Sequence, residues 1–277
     1  FALIATLAVR AGVRAELGDT ILGANAHVTV YSVGHPSSSG AMIKGFEDYD
    51  AIAGRLLAIP GVTRAAPLIK GQIMVTAGAG AGGAGGFGIS QAHLETIPRV
   101  GLGADAYGDI TRFDQGIAIG SGIARELGVT VGDKLRLIAP SGVKTAFGSS
   151  PRVNAYEVVY VFTAGRWDID RTRIYMPFAE AQSYFNREGL ADEFEVMVKD
   201  PENIDAYTLP VMQAGGAQAL LWTWRDSSGS YLRALTIEDN VMFIIMSILV
   251  LIAALNIISG LIMLVKNKGR DIGILRT

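Results

Sequence analysis

The chain has 277 residues, with 24 Lys and Arg against 26 Asp and Glu, and a formal net charge of −2 at pH 7. This balance argues against a nucleic-acid-binding protein and against a generally basic membrane-binding surface. Cysteine is absent from the sequence, which excludes disulfides, thiolate metal sites and cysteine nucleophiles. His27, His35 and His93 are scattered and form no HExxH pattern, so we expect no metal site. No spacing typical of a catalytic nucleophile and base occurs, and no catalytic residue is predicted.

The N-terminal residues indicate the end of a membrane helix. Residues 1–9, FALIATLAV, are apolar but too few to cross a bilayer alone. Val9, Val13 and Leu17 recur at every fourth position, which predicts that one helix continues to about Leu22. A cleaved signal peptide is the alternative, but it would need a basic region that the sequence lacks. Because the sequence starts with Phe and stops within a pattern, we expect it to be part of a longer protein.

Two strand–helix–strand units follow, separated by an insertion. The predicted strands lie over residues 26–31, 67–75, 194–198 and 219–224, and the predicted helices lie over residues 48–59 and 200–212. Asp48 or Asp50 can cap the first helix, and Pro210 is expected to interrupt the second. Two such units predict an α+β domain with split ferredoxin-like βαβ halves and an inserted small β subdomain.

The segment over residues 77–88, AGAGAGGAGGFG, is of low complexity. A glycine-rich loop can hold a phosphate group where it joins a strand to a helix. Here the lysine of a P-loop is missing and the dinucleotide-binding context is absent. We therefore predict a flexible hairpin tip rather than a nucleotide site.

The insertion is mainly β. Its predicted elements are a helix over residues 120–127 ended by Gly128, strands over residues 134–138, 156–163 and 173–176, and a helix over residues 178–185. Residues 139–153, APSGVKTAFGSSPRV, show no periodic apolar pattern and are too many for a tight hairpin, so they are predicted to form a loop. The loop fits two interpretations: a solvated connection, or a protruding element that docks a partner through its aromatic and basic residues.

The C-terminal part predicts a transmembrane helix. Residues 241–265, VMFIIMSILVLIAALNIISGLIMLV, contain no charged residue and exceed the roughly 20 residues that a helix needs to cross a bilayer. Glu238 precedes the segment, whereas Lys266 and Arg270 follow it, which places the C-terminal end in the cytoplasm and the preceding domain outside it. The alternative is a buried core helix of a soluble protein.

The segment LTIEDNVMFIIMSILVLIAALNIISGLIMLVKNKGRDIGILRT resembles the second membrane helix of the lipoprotein-releasing ABC transporter permeases, the LolC/LolE family within the wider MacB/FtsX-type superfamily. Further resemblance lies in AELGDTILGANAHVTVY, ARELGVTVGDKLRLIAPSG, IYMPFAEAQSYF and WTWRDSSGSYLRAL, so that it covers essentially the whole chain. The family implies a four-helix permease, multi-pass in the bacterial inner membrane, with a large periplasmic domain between its first two helices.

The resemblance implies a division of the chain. Residues 1–22 would form the end of the first transmembrane helix and its periplasmic extension, and residues 23–110 with 186–229 a porter-like α/β subdomain. Residues 111–185 would form an inserted, sabre-like β-rich subdomain that carries a hook-like loop over residues 139–153. Residues 230–265 would form the second transmembrane helix, and residues 266–277 the start of a cytoplasmic coupling segment.

The resemblance also implies a non-catalytic subunit with several partners. These are a LolD-like ABC ATPase that binds ATP and Mg²⁺, a second permease subunit in a homo- or heterodimer, a triacylated lipoprotein and a LolA-like periplasmic carrier. No cofactor is expected on this chain. A LolC-like, a LolE-like and a hybrid permease all fit. The alternatives are a MacB-like exporter and a cell-division-type permease that regulates periplasmic hydrolases.

Three groups of site residues follow from the resemblance. The carrier-binding hook would use Pro140, Val143, Lys144, Phe147, Gly148, Pro151 and Arg152. The lipoprotein acyl cavity would use Met242, Phe243, Met246 and Leu249. The ATPase-coupling contacts would be Arg270, Asp271, Ile274, Leu275 and Arg276.

Overall fold

The computed structural model of the protein describes residue 12 and residues 25–36, 42–101, 103, 105–145 and 148–274. The described residues fall into two compact units, one within Val13–Trp224 and one that comprises Gly12 and the described residues of Arg225–Thr277. The predicted first membrane segment, residues 1–22, lies outside the described residues apart from Gly12.

The first unit mixes strands and short helices. Its strands are β1 (Val28–Ser32), β2 (His35–Pro36), β3 (Met42–Ile43), β4 (Val62–Ala77), β5 (Gly80–Ile89), β6 (Tyr107–Gly108), β7 (Ile117–Gly120), β8 (Lys134–Thr145), β9 (Gly148–Phe162), β10 (Arg173–Pro177), β11 (Glu193–Val198) and β12 (Ala219–Thr223). Its helices are α1 (Tyr49–Leu57), α2 (Gln91–Glu95), α3 (Ser121–Leu127), α4 (Trp167–Asp170), α5 (Phe178–Tyr184) and α6 (Asp205–Gly215), with 3₁₀ helices over Ile110–Gln115 and Pro201–Asn203. The short helix α7 (Trp224–Ser227) then precedes the long helix α8 (Gly229–Ile274).

Strands β12, β1, β11 and β4 lie side by side in that order, and each neighbouring pair is antiparallel. Helix α1 connects β1 to β4, and α6 connects β11 to β12, so β11 lies between the two strands of the first strand–helix–strand unit. A shared apolar core joins strands and helices through Val28, Val30, Leu56, Phe194, Val196 and Val211. The strands and helices predicted for both units are confirmed.

The predicted break at Pro210 is wrong, because Pro210 lies inside α6. Proline removes one backbone donor, yet the helix continues past Pro210 to Gly215. The end of α6 coincides instead with Gly216, whose φ of 89° is unfavourable for other residues.

Six of the described strands close into a ring. The pairing runs from β4 to β5, β10, β7, β9 and β8, and β8 pairs back to β4. Closure satisfies the backbone of these strands on both sides, which a sheet with free edges cannot do. One side chain from each strand contributes to a common core, as Ile73, Ala84, Ile174, Ile119, Val161 and Leu137 illustrate.

Strand β4 belongs to both halves of the domain. Its residues Val62–Leu68 pair with β11, and its residues Ile69–Ala77 pair with β5. The sheet that contains β11 and the ring that contains β5 therefore meet within β4, between Leu68 and Ile69. The subdomain boundaries at residues 110 and 185 stay a prediction.

The glycine-rich segment forms strand β5, so the predicted flexible hairpin tip is wrong over most of its length. The turn is confined to Gly78 and Ala79, and Ala77 pairs with Gly80 directly beside it. Glycine is needed further along β5, because a Cβ on Gly88 would overlap the Cβ of Ala181 on α5. The glycines thus allow α5 to pack directly on the strand.

Other elements of the insertion agree with the prediction. Helix α3 ends at Gly128, whose φ of 64° lies in the left-handed region that glycine favours. The predicted strands lie within β8, β9 and β10. Strand β7 was not predicted, because all four of its residues are buried and it therefore lacks the alternating pattern of a half-exposed strand.

Candidate functional sites

The segment predicted to be a loop over residues 139–153 is the outer part of a β-hairpin. Val143, Lys144 and Thr145 of β8 pair with Ser150, Ser149 and Gly148 of β9. These strands are difficult to recognise from the sequence, because proline and glycine take the place of the alternating apolar residues that are typical of strands. The hairpin leaves the ring at Ile138, the last residue of β8 that pairs with β4.

An irregularity bends the hairpin near its base. Ala139 pairs with Arg152 and Val143 pairs with Ser150, so four steps along β8 correspond to two steps along β9 (143 − 139 = 4; 152 − 150 = 2). The two extra residues form a bulge, and bulges bend and twist the strand that contains them. Gly142 lies in the bulge and is buried, and a Cβ there would overlap the backbone of Ser150 and Arg152. Only glycine fits this position without a shift of the backbone.

The base of the hairpin is joined to the turn after α5. The Arg152 guanidinium donates to the Ser183 carbonyl through Nη1 and to Asn186 Oδ1 through Nη2, the second at 3.0 Å. Asn186 Nδ2 donates in turn to the Gly142 carbonyl at 3.0 Å. One asparagine side chain therefore contacts both strands of the hairpin.

The geometry of Asn186 is unusual. Among the described residues, Asn186 is the non-glycine residue with a positive φ, which is 56°. Asparagine tolerates the left-handed region better than most residues, at a cost that other interactions must offset. The hydrogen bonds to Arg152 and Gly142 are such interactions. Asn186 could not be identified from the sequence, because its partners lie more than 30 residues earlier in the chain.

A second set of polar contacts ties β9 to α5. Tyr156 donates to Glu180 Oε1 at 2.6 Å, and Asn154 Nδ2 donates to the Tyr156 hydroxyl oxygen at 3.0 Å. Burial, followed by the hydrogen bond to Glu180, raises the pKa of Tyr156 well above its ordinary value, so the phenol stays protonated and keeps donating. Burial likewise raises the pKa of Tyr184 to about 12.

The structure describes all of the predicted hook residues except Phe147. Pro140 and Pro151 are exposed beside the bulge, and Arg152 is half-buried in its contacts with α5. Val143, Lys144 and Gly148 lie on the two strands of the outer hairpin. Phe147 lies outside the described residues. The hairpin brings the six described positions to one protruding element.

A buried ion pair lies between β4 and β11. Arg64 Nη1 is 3.1 Å from Glu195 Oε2, and the two side chains are only 4% and 9% exposed. Arg64 Nε and Nη2 are buried without a hydrogen-bond partner. His93 on α2 is nearby: desolvation by burial and then repulsion from Arg64 hold the pKa of His93 below its ordinary value. Arg64 and Glu195 thus lie in the packed interior of the domain, whereas His93 is half-buried beside them.

The second unit carries the apolar helix. Among the described residues, Asn240–Lys266 of α8 is the stretch long and apolar enough to cross a membrane, and none of it is buried. The alternative of a buried core helix is therefore wrong. Met242, Met246 and Leu249 follow each other at i, i+4 and i+7 and share one face of α8, whereas Phe243 lies about 100° around the helix. Leu249 and Phe243 are 55% and 73% exposed.

The predicted coupling residues are described in part. The backbone of Arg270, Asp271 and Ile274 continues α8, and Leu275 and Arg276 lie outside the described residues. Among the residues that the structure describes, no group of three or more His, Asp or Glu side chains could hold a metal ion.

The chain matches a known protein family along most of its length. Residues 1–208 match the family described as the MacB-like periplasmic core domain, and the chain belongs to this family. It is also similar to two curated transmembrane proteins of lipoprotein-releasing systems. It is 26% identical to LolC of Neisseria meningitidis serogroup B over 100% of this chain and 65% of the relative. It is 26% identical to LolE of Haemophilus influenzae over 99% of this chain and 65% of the relative.

The chain thus spans 65% of the length of each of these relatives, which is slightly less than two thirds. The resemblance to the LolC/LolE permeases is confirmed by these matches. Among solved structures, the chain is similar to the periplasmic region of MacB from Actinobacillus actinomycetemcomitans. The match spans 76% of this chain and 97% of the MacB chain, with 12% identity and a TM-score of 0.48.

Proposed function

We propose that the chain is part of the permease subunit of an ABC transporter that extracts outer-membrane lipoproteins from the bacterial inner membrane and passes them to a periplasmic carrier. A separate LolD-like subunit hydrolyses ATP to drive the cycle, and this chain performs no catalysis itself. The similarity to LolC and LolE along essentially the entire chain supports the lipoprotein substrate. The observation that carries the proposal is the hairpin that leaves the closed ring of strands at Ile138.

The architecture that we infer is a split ferredoxin-like, porter-like half and an inserted, sabre-like β half. The strand order β12-β1-β11-β4 supports the first, and the ring from β4 to β8 supports the second. This domain lies in the periplasm, and α8 is the second of four transmembrane helices in the inner membrane. The basic residues that follow the apolar stretch of α8 support a cytoplasmic C-terminal end.

The protruding hairpin binds the LolA-like carrier. A hairpin whose outer part pairs with no further strand of the ring presents a small surface that a soluble partner can bind. Pro140 and Pro151 are exposed on it, and both lack a backbone donor. With Val143, Lys144, Phe147, Gly148 and Arg152 they form the proposed contact set.

The apolar helix receives the acyl chains. Moving an acyl chain out of the bilayer costs about 0.8 kcal/mol per CH₂ unless an apolar surface replaces the lipid. The face of α8 with Met242, Met246 and Leu249, together with Phe243 beside it, supplies such a surface in our proposal. Because a triacylated lipoprotein exposes many CH₂ groups, extraction needs the ATPase, and Arg270, Asp271, Ile274, Leu275 and Arg276 form the proposed contact with it. A second permease subunit completes the cavity.

A photocrosslinking experiment tests the proposal. A photoreactive residue replaces Phe147 in the intact permease in cells, and Leu209, which is 58% exposed on α6, serves as the control position. We expect the periplasmic lipoprotein carrier to crosslink from position 147 and not from position 209. If folded, membrane-inserted permease gives no carrier crosslink from position 147, the proposed carrier-binding function is wrong.

A MacB-like exporter is the second candidate, because the family match concerns the MacB-like periplasmic core domain. The same crosslinking experiment separates the two functions. An exporter of that kind would crosslink to its own periplasmic partner from the domain, and lipoprotein would not crosslink from Met246 on α8.

A further inference from the structure

The outer hairpin has limited support from the ring of strands. β8 pairs with β4 over Arg136–Ile138, and beyond this point the register of β8 involves β9 alone. From Arg152 to Gly148 the strand extends roughly 13 Å, at about 3.3 Å per residue. A small change of angle at the base therefore displaces the tip by several ångströms.

The bulge makes the base the weakest part of the hairpin. Between the pairs Ala139–Arg152 and Val143–Ser150, the three residues 140–142 of β8 face the single residue Pro151 of β9. Backbone groups in such an irregular segment must find partners outside the ladder. The Gly142 carbonyl finds one in the side chain of Asn186. An element outside the hairpin thus completes its hydrogen bonding at the point where the strands are least regular.

Asn186 contacts both strands at this level. Its Nδ2 reaches β8 at Gly142, and its Oδ1 accepts from Arg152 on β9. The Tyr184 hydroxyl donates to the Arg152 carbonyl, and the Arg152 guanidinium also reaches the Ser183 carbonyl. The turn after α5 therefore holds the hairpin from one side.

The turn is itself anchored to the ring. Phe185 packs so closely against β4 and β5 that a Cβ on Gly71 or Gly86 would press on its ring. Ala181 packs on Gly88 in the same manner. Asn186 is attached directly to this rigid support, whereas the hairpin tip is not.

We propose that Asn186 is a positioning residue: it locks the base of the β8–β9 hairpin at a fixed angle to the ring and so presents the tip to the carrier. This role rests on the proposed carrier-binding function. Asn186 lies outside the proposed carrier contacts, so substituting it changes the orientation of the hairpin without removing a contact residue.

Hydrogen exchange in the intact permease complex tests the lock directly. Asn186→Gly keeps the left-handed backbone that glycine adopts freely and removes the whole side chain, including the amide that makes both hydrogen bonds. We expect the amides of Val143–Thr145 and Gly148–Ser150 to exchange about 3- to 10-fold faster, because the hydrogen bonds at the base are lost. The amides of Ile174 and Met176 in the ring should keep their rates, which separates release of the hairpin from global unfolding. Glu188→Ala, an exposed change in the same turn, is the matched control and should leave all rates unchanged.

Asn186→Asp separates the effects of the two hydrogen bonds that the Asn186 side chain makes. The carboxylate still accepts from Arg152 but cannot donate to Gly142. Exchange should therefore rise for Val143–Thr145 on β8 and stay near the original rate for the β9 amides. Equal rates in Asn186→Gly and the unaltered protein would overturn the lock.

Carrier binding supplies the second readout. The affinity of the complex for the purified carrier should fall about 3- to 10-fold in Asn186→Gly and stay unchanged in Glu188→Ala. Faster exchange with unchanged affinity would overturn the role in presenting the tip. If the unaltered complex does not bind the carrier, the proposed function fails, and the exchange comparison still decides whether Asn186 holds the hairpin.

Discussion

Gly88 on β5 and Ala181 on α5 are in such close contact that the strand has no room for a side chain at this position. We predict that Gly88→Ala destabilises the domain by about 1–3 kcal/mol, because the added methyl must push α5 away from the ring. The control is Gly83→Ala on the same strand, where a Cβ would meet nothing within 4 Å. Thermal unfolding of the purified permease measures both, and equal midpoints for the two variants would contradict the prediction.

The buried pair of Arg64 and Glu195 gives a second prediction. Glu195→Ala leaves a buried guanidinium without its counter-charge and should lower the free energy of unfolding by about 3–5 kcal/mol. The double change Arg64→Met with Glu195→Leu removes both charges and should cost much less than the single one. Arg112→Ala is the control, because the side chains of Arg112 and Glu157 are 45% and 35% exposed in their ion pair, and it should cost less than about 1 kcal/mol. Similar losses in all three variants would show that the buried charge is not the cause.

His93 makes stability depend on pH. Because its pKa in the folded domain lies below the ordinary value of 6.5, the unfolded chain binds the proton more readily. Stability is then fully present above about pH 6.5 and is lost as the pH falls from 6.5 toward the folded-state pKa. His93→Gln cannot titrate and should flatten this part of the curve. Unfolding midpoints between about pH 7.5 and about pH 5.5 measure the difference, and parallel curves would exclude the histidine as its source.

The end of α8 should transmit the state of the ATPase. Arg270→Glu combined with Leu275→Asp reverses a charge and introduces another on an apolar position, so the ATPase should co-purify with the permease at least about tenfold less. Asn240→Ala at the opposite end of the apolar stretch is the control and should leave recovery unchanged. Full recovery of the ATPase with the double variant would exclude these residues from the contact.

The regular elements could be predicted from sequence, because their patterns are local. Val28 and Val30 alternate with polar residues on β1, and Ile52 and Leu56 share one face of α1. The apolar stretch of α8 is recognisable from its length and lack of charge. In these segments the residues that define each element are neighbours in the chain.

Two segments could not be predicted, for related reasons. β5 consists mostly of glycine, and the outer hairpin contains Pro140, Gly142 and Pro151, so neither shows a pattern of apolar side chains. Both are strands because of backbone pairing, which needs no pattern of apolar side chains: β5 pairs with β4 and β10, and the outer parts of β8 and β9 pair with each other. The contact of Asn186 with Gly142 spans 44 residues and leaves no trace in the local sequence. Closure of the ring between β8 and β4 is likewise a property of the folded chain.

The departure of the hairpin from the ring at Ile138 has an evolutionary consequence. Side chains alternate across a strand with a period of two, so residues inserted or deleted in pairs beyond Ile138 leave every inward-facing position of the ring unchanged. The tip can therefore diverge in length and composition while the ring below it keeps its fold. In the proposed function, such changes would alter the surface offered to the carrier and leave the supporting domain unchanged.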